Sequence, residues 1–213
     1  MVKLHVYVEG GAKRQKDLNI ACRKGFKRFV SKAGIDGGKI QFIPGFGRET
    51  TFTMFRKAFV RNADCLLLID SETALRSVHE CDADGRGGLP WEHLKLRRGD
   101  THWKKPGNAD SSHCHFMVEC MENWFLADKE KLKIYFGGAF QESALPGNSD
   151  IESVRKPDIQ KALKKASAEC AKGRYDKGDH SFGIIELLDP ELIGRKSPWA
   201  RRFIDTLKTR VAG

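Results

Sequence analysis

The sequence contains no Gly-x-x-x-x-Gly-Lys-Ser/Thr loop, which excludes ATP hydrolysis by that route. It holds no C-x-x-C pair, no internal repeat, no low-complexity tract, no signal-peptide pattern and no apolar run long enough to span a bilayer. Six cysteines stand apart at 22, 65, 81, 114, 120 and 170. Cys22 and Cys170 fall on the apolar faces of expected helices, and Cys65 and Cys114 in expected strands. They read as small buried hydrophobes of a reduced, cytoplasmic protein without membrane contact, not as a disulfide frame.

What is present is a basic chain with enough apolar residues for a core. Its 213 residues are 40% hydrophobic and include 13 Phe. Lys and Arg number 38 against 28 Asp and Glu, a net charge of +10, so an anionic partner is expected, nucleic acid being the usual one.

Val2 to Val8 alternates as a strand does and is closed by Glu9-Gly10-Gly11. Lys16 to Ala33 follows helical spacing, with Leu18, Cys22, Phe26 and Phe29 on one face. A short strand covers Lys39 to Ile43. Thr50 or Thr51 is expected to cap a second helix that buries Phe52, Phe55 and Phe59. Asp64 to Ile69 is almost continuously apolar, as a central parallel strand is, and ends in Asp70-Ser71-Glu72. Residues 73–112 read as a loop-rich insertion with a short helix near Pro90-Trp91. Cys114 to Val118 is a fourth strand, and Glu119 to Leu126 reads as a helix leaving the sheet. From about Lys129 the chain reads as helical apart from a loop-rich connector over 137–157, with one amphipathic helix carrying Ile159, Leu163, Ala166 and Cys170, and a last helix capped by Ser197-Pro198.

This order predicts a parallel α/β sheet flanked by helices, with right-handed crossovers. The division expected is a catalytic domain over 1–128 and a helical C-terminal extension over 129–213. In such sheets chemistry sits beyond the carboxyl ends of the strands. Three of the four ends carry acids: Glu9; Asp70 and Glu72; Glu119 and Glu122. Carboxylates converging there suit a hard cation such as Mg²⁺ or Mn²⁺. Two such ions about 4 Å apart can act on a phosphodiester. Asp70 and Glu72, two apart, project to one side of an extended chain. Gly10 and Gly11 would let a phosphate approach the backbone beside Glu9.

Val6 to Gly11 (VYVEGG) and Leu66 to Glu72 (LLLIDSE) resemble the two motifs of a Toprim domain, the second with Glu72 where Asp is commoner. His115 to Asp128, Pro90 to Leu94, Lys177 to Phe182 and Ser197 to Phe203 resemble one bacterial family, domain of unknown function 4276, across nearly the whole chain. The resemblance implies a Toprim-like (Rossmann-like) fold. It also implies a metal-dependent nuclease subunit working beside an ABC- or OLD-type ATPase in anti-phage defence. Carried over, it makes Glu9 the general acid or base, Asp70 and Glu72 metal ligands, and Glu122 the residue that completes or orients the metal site, with Glu119 the weaker choice. Lys177 and His180, read as loop residues, would contact a phosphate.

Lys13 and Arg14 follow the Glu9 turn on the side where a phosphate would arrive. With Lys16, Lys95, Arg97, Arg98, Lys104 and Lys105 they can track a nucleic-acid backbone, DNA or RNA. Trp91 and Trp103 are candidates for base stacking or for core anchors. His79-Glu80-Cys81-Asp82 and His113-Cys114-His115 match no ordinary zinc spacing. Asp82-Ala83-Asp84-Gly85 opens like a calcium loop, but position 12 falls on His93, not Glu. Two rival readings keep most of these features: a non-catalytic nucleic-acid-binding adaptor of the ATPase, and a phosphohydrolase of small nucleotides.

Overall fold

Strand β1 (Leu4–Val8) pairs in parallel with β2 (Ile40–Pro44) on one side and β3 (Cys65–Asp70) on the other, and β3 pairs with β4 (Cys114–Met117), giving the order β2-β1-β3-β4. The computed structural model describes residues 3–75 and 89–212. The His79 to Asp82 cluster and the Asp82 to Gly85 turn lie outside them. β3 is buried along its whole length, which explains its unbroken apolar run.

Helix α1 (Lys16–Lys32) and helix α2 (Arg48–Arg61) make the crossovers. Side chains alternate across the strands, so two cores form. On one face Val6, Val8, Leu66 and Leu68 meet Phe26 and Phe29 of α1. On the other, Tyr7, Leu67 and Ile69 meet Phe52, Phe55 and Phe59 of α2, together with Trp91 and Leu94 of α3 (Pro90–Leu96).

The later helices are α4 (Lys129–Phe136), α5 (Lys156–Ala166), α6 (Lys177–Leu187), α7 (Pro190–Lys196) and α8 (Pro198–Ala212). They share the first core with the sheet: Ile159, Leu163, Phe182, Ile184, Phe203 and Leu207 join the same cluster as Val6. Helix α6 lies so close to α1 that a Cβ at Gly25 would stand 2.6 Å from the Phe182 carbonyl oxygen.

Three local expectations are corrected. Helix α2 starts at Arg48 behind Gly47, whose φ of 107° suits glycine, so Thr50 and Thr51 lie inside the helix. Thr51 instead turns its hydroxyl back onto the Gly47 carbonyl at 2.6 Å. The segment after β4 is a 3₁₀ stretch, Met121–Ala127, tied at its start by side chains: Met121 N–H donates to Asp70, and the Asn123 amide donates to the carbonyls of Ile151 and Val154. Helix α5 stops at Ala166, short of Cys170, which is buried in the turn beyond it. Ser197 does cap α8, accepting from Ala200 N–H at 3.0 Å.

Candidate metal and active site

The carboxyl edge of the sheet brings Glu9, Asp70 and Glu72 together. Each offers an oxygen, and these atoms lie within 4.8 Å of one another. Among the described residues they form the group suited to a metal ion. Glu9 follows β1 and accepts from the Asp70 N–H at 3.1 Å, which locks the ends of neighbouring strands. Asp70 ends β3 and is fully buried. Glu72 does not continue the strand: its φ is 70°, in the left-handed region, and its N–H donates to the Glu119 carbonyl at 2.8 Å. A non-glycine residue held there costs on the order of 1 kcal/mol or more, and such geometry clusters at functional sites. The two carboxylates therefore meet through a turn, not through the same-side projection of an extended chain.

Three cations enter the cluster. Lys156, at the start of α5, bridges Asp70 Oδ2 at 3.2 Å and Glu72 Oε1 at 2.7 Å. Lys177, at the start of α6, donates to Asp70 Oδ2 at 3.1 Å and lies 3.6 Å from Glu122 Oε2. Arg48, the first residue of α2, donates to the Asp70 carbonyl and lies 3.5 Å from Glu9 Oε2. The same guanidinium is held from behind by Asp100, at 3.2 and 2.6 Å, a two-point grip that fixes its plane.

Electrostatics sort the carboxylates. Burial and the neighbouring Asp70 push Glu9 up to about 7, against the pull of Arg48 and Lys177. Burial alone would raise Asp70 as well, but Lys177 and Lys156 outweigh it and hold Asp70 below the usual carboxylate range. Both lysines are in turn held above the ordinary lysine value: burial opposes this, and the surrounding carboxylates together, Asp70 with Glu72 for Lys156 and Asp70 with Glu122 for Lys177, outweigh it. One carboxyl poised near neutrality beside one kept ionised is the division of labour that acid–base chemistry needs.

Glu122 is fully buried behind this group. Its Oε1 accepts from Tyr175 Oη at 3.1 Å, while Oε2 has no hydrogen-bond donor among the described residues and faces Lys177. It meets the cluster through Lys177. Glu119 faces away, accepting from the Lys156 N–H at 2.8 Å and so fixing where α5 begins.

Other expected residues fall elsewhere. Lys177 and His180 are helical, in the first turn of α6 capped by Asp176. His180 is buried with its ring nitrogens on Asp176 and Lys172, a structural role. Lys13 and Arg14 are exposed on the loop before α1, outside the carboxylate cluster. Gly10 and Gly11 do not open the backbone to a phosphate: a Cβ at Gly10 would meet Phe182 at 2.7 Å, and one at Gly11 would meet the Asn19 side chain at 2.3 Å. Trp91 and Trp103 are core anchors, Trp91 donating to the Asp110 carbonyl and Trp103 stacking on Phe52 at 4.1 Å. Arg97 is spent on Asp100. His113 and His115 face separate partners, Asp110 and the Ser112 carbonyl.

Arg48, Lys156 and Tyr175 went unread in the sequence. Arg48 had a signal: it follows the one strand end without an acid, on the edge where chemistry collects. Lys156 and Tyr175 had none, because nothing local ties residues over eighty positions away to the end of β3.

A parallel α/β sheet with a buried carboxylate group at its carboxyl edge is the class these features define. Residues 8–208 match the family described as Domain of unknown function (DUF4276), and the chain belongs to it. No curated protein and no solved structure matches it. Among the described residues no helix is long and apolar enough to cross a membrane.

Proposed function

We propose that this chain is a metal-dependent nuclease of Toprim type, hydrolysing phosphodiesters of DNA or RNA as the effector of an ABC- or OLD-type ATPase in anti-phage defence. The observation that carries the catalytic reading is the convergence of Glu9, Asp70 and Glu72 within 4.8 Å at the sheet edge. All-oxygen, anionic donors suit Mg²⁺ or Mn²⁺, and the buried Glu122 oxygen without a donor keeps the surroundings negative. The chemistry such an ion supplies is polarisation of a phosphoryl oxygen and activation of water. Glu9, raised to about 7, is suited to take or give a proton. Asp70 and Glu72 hold the cation, Arg48 faces Glu9, and Lys177 presents positive charge to an incoming phosphate. The Toprim type and the ATPase partner rest on the strand-end motifs and the family resemblance.

The test is a cleavage assay on plasmid, single-stranded DNA and tRNA with Mg²⁺, Mn²⁺ or EDTA. Glu9→Ala and Glu72→Ala are expected to lose metal-dependent cutting by at least about a hundredfold while keeping the wild-type melting profile. A fully active Glu9→Ala protein overturns the mechanism.

One observation favours the adaptor reading: Lys156 and Lys177 already neutralise Asp70 and Glu72. Titration calorimetry separates the two. Binding of Mg²⁺ or Mn²⁺ that is lost in Glu72→Ala supports the nuclease, and no binding at millimolar metal supports the adaptor.

A further inference from the structure

Both lysines of the carboxylate cluster are delivered by segments that border one cavity. Pro157, next to Lys156, lines it, and so does Arg174, three residues before Lys177. Its volume is about 610 Å³, and its walls carry Gln160, Lys161, Lys164 and Lys165 from the outer face of α5. Among the described residues no carboxylate lines it. Lys161, Lys164, Lys165 and Arg174 are all exposed, and none forms an ion pair among the described residues. The acid closest in sequence on α5, Asp158, is taken up by Arg155 at 2.8 Å. A second cavity, beside Arg14 and Lys16, differs in carrying Asp17 and Asp179 among its walls.

We propose that the α5 cavity is the seat of the substrate's phosphate backbone, which it feeds toward Asp70 and Glu72. Four unpaired cations in a concave wall without acids fit a polyanion. Along the α5 axis Lys161 lies about 7.5 Å and Lys164 about 12 Å from Lys156, but turned about 140° and about 80° around it, so the cavity's lysines occupy a neighbouring face of the helix. A backbone seated there comes nearest the carboxylate cluster along the chain at Pro157, the lining residue next to Lys156. The contacts are to phosphate, so they hold the strand without reading its sequence. This deepens the nuclease reading by assigning where its polymer lies, and binding can be read without any cutting.

Fluorescence anisotropy in EDTA, with short labelled single-stranded DNA, single-stranded RNA and duplex DNA, tests the assignment. The double variant Lys161→Glu/Lys164→Glu is expected to bind at least about tenfold more weakly, with the salt slope of a single strand reduced by about 1.4, or 0.7 for each lost contact. Lys161→Ala/Lys164→Ala, milder for the fold, is expected to show the same slope change. The matched reversal Arg56→Glu/Lys57→Glu, on α2 across the sheet, is expected to bind at least threefold more tightly than the α5 reversal. Equal binding by wild type and both α5 variants overturns the proposal. So does a wild type that binds none of the probes at low salt, or one from which polyglutamate displaces the oligonucleotide at equal charge, which would mark a seat for an acidic protein. If α5-dependent binding is found but nothing is cut, the nuclease reading fails and the phosphate seat stands.

Discussion

Asp70 has no exposed surface and is held by three donors: the Met121 N–H, Lys156 and Lys177. A buried carboxylate is tolerated only when it is paired and bonded in this way. Arg48 works on the neighbouring carboxylate. It lowers Glu9 against burial, and a lysine there could not keep both Asp100 oxygens and the Asp70 carbonyl in one plane. Arg48→Lys is therefore expected to weaken the hold on Glu9 and move its titration above about 7, read as a shift in the carboxyl carbon resonance. A Glu9 that titrates lower in the variant would show that Arg48 does not set its proton affinity.

At the scale of elements, the turn Ile151–Ser153 joins two of them. Its Glu152 accepts from Ser197 Oγ and from the Trp199 N–H, so it caps α8 from outside that helix. Burial raises Glu152 from an ordinary 4.5 to about 7. The folded state then binds more protons than the unfolded one between those values, and stability from this residue is lost as pH rises through about 7. Glu152→Gln keeps an acceptor and cannot ionise. Relative to wild type it is expected to melt a few degrees higher at pH 8, with the gap closing at pH 5. A gap of the same size at both pH values removes the carboxyl from the explanation.

The elements themselves were legible in the sequence where period and punctuation agreed: the strand ending in Glu9, the apolar run ending in Asp70, and the proline opening the last helix. What could not be read was geometry set by distant contacts. The 3₁₀ form of Met121–Ala127 depends on Asp70 and on carbonyls near residue 151, and the turn at Glu72 depends on Glu119. Glu9, Asp70 and Glu72 were readable as strand-end acids, whereas Lys156 falls in the loop-rich stretch over 137–157, where nothing local marks it.

For the molecule as a whole, the two halves of the chain share one core and one site. Residues 1–128 hold the carboxylates, and later helices supply both lysines and cover Val6, Leu66 and Phe29. A fragment ending at residue 128 exposes that apolar face and leaves Asp70 buried without its counter-charges. It is expected to give no cooperative thermal transition, whereas the full chain melts in one step; two separate transitions in the full chain would count against this coupling. Gly25 makes the coupling adjustable. Alanine in place of a mid-helix glycine ordinarily helps a helix by up to about 1 kcal/mol. Here that one methyl group would act as a wedge under the middle of α6, the helix whose first residue is Lys177, so the grip on Asp70 can be loosened by tilting a rigid rod without touching a single charged group.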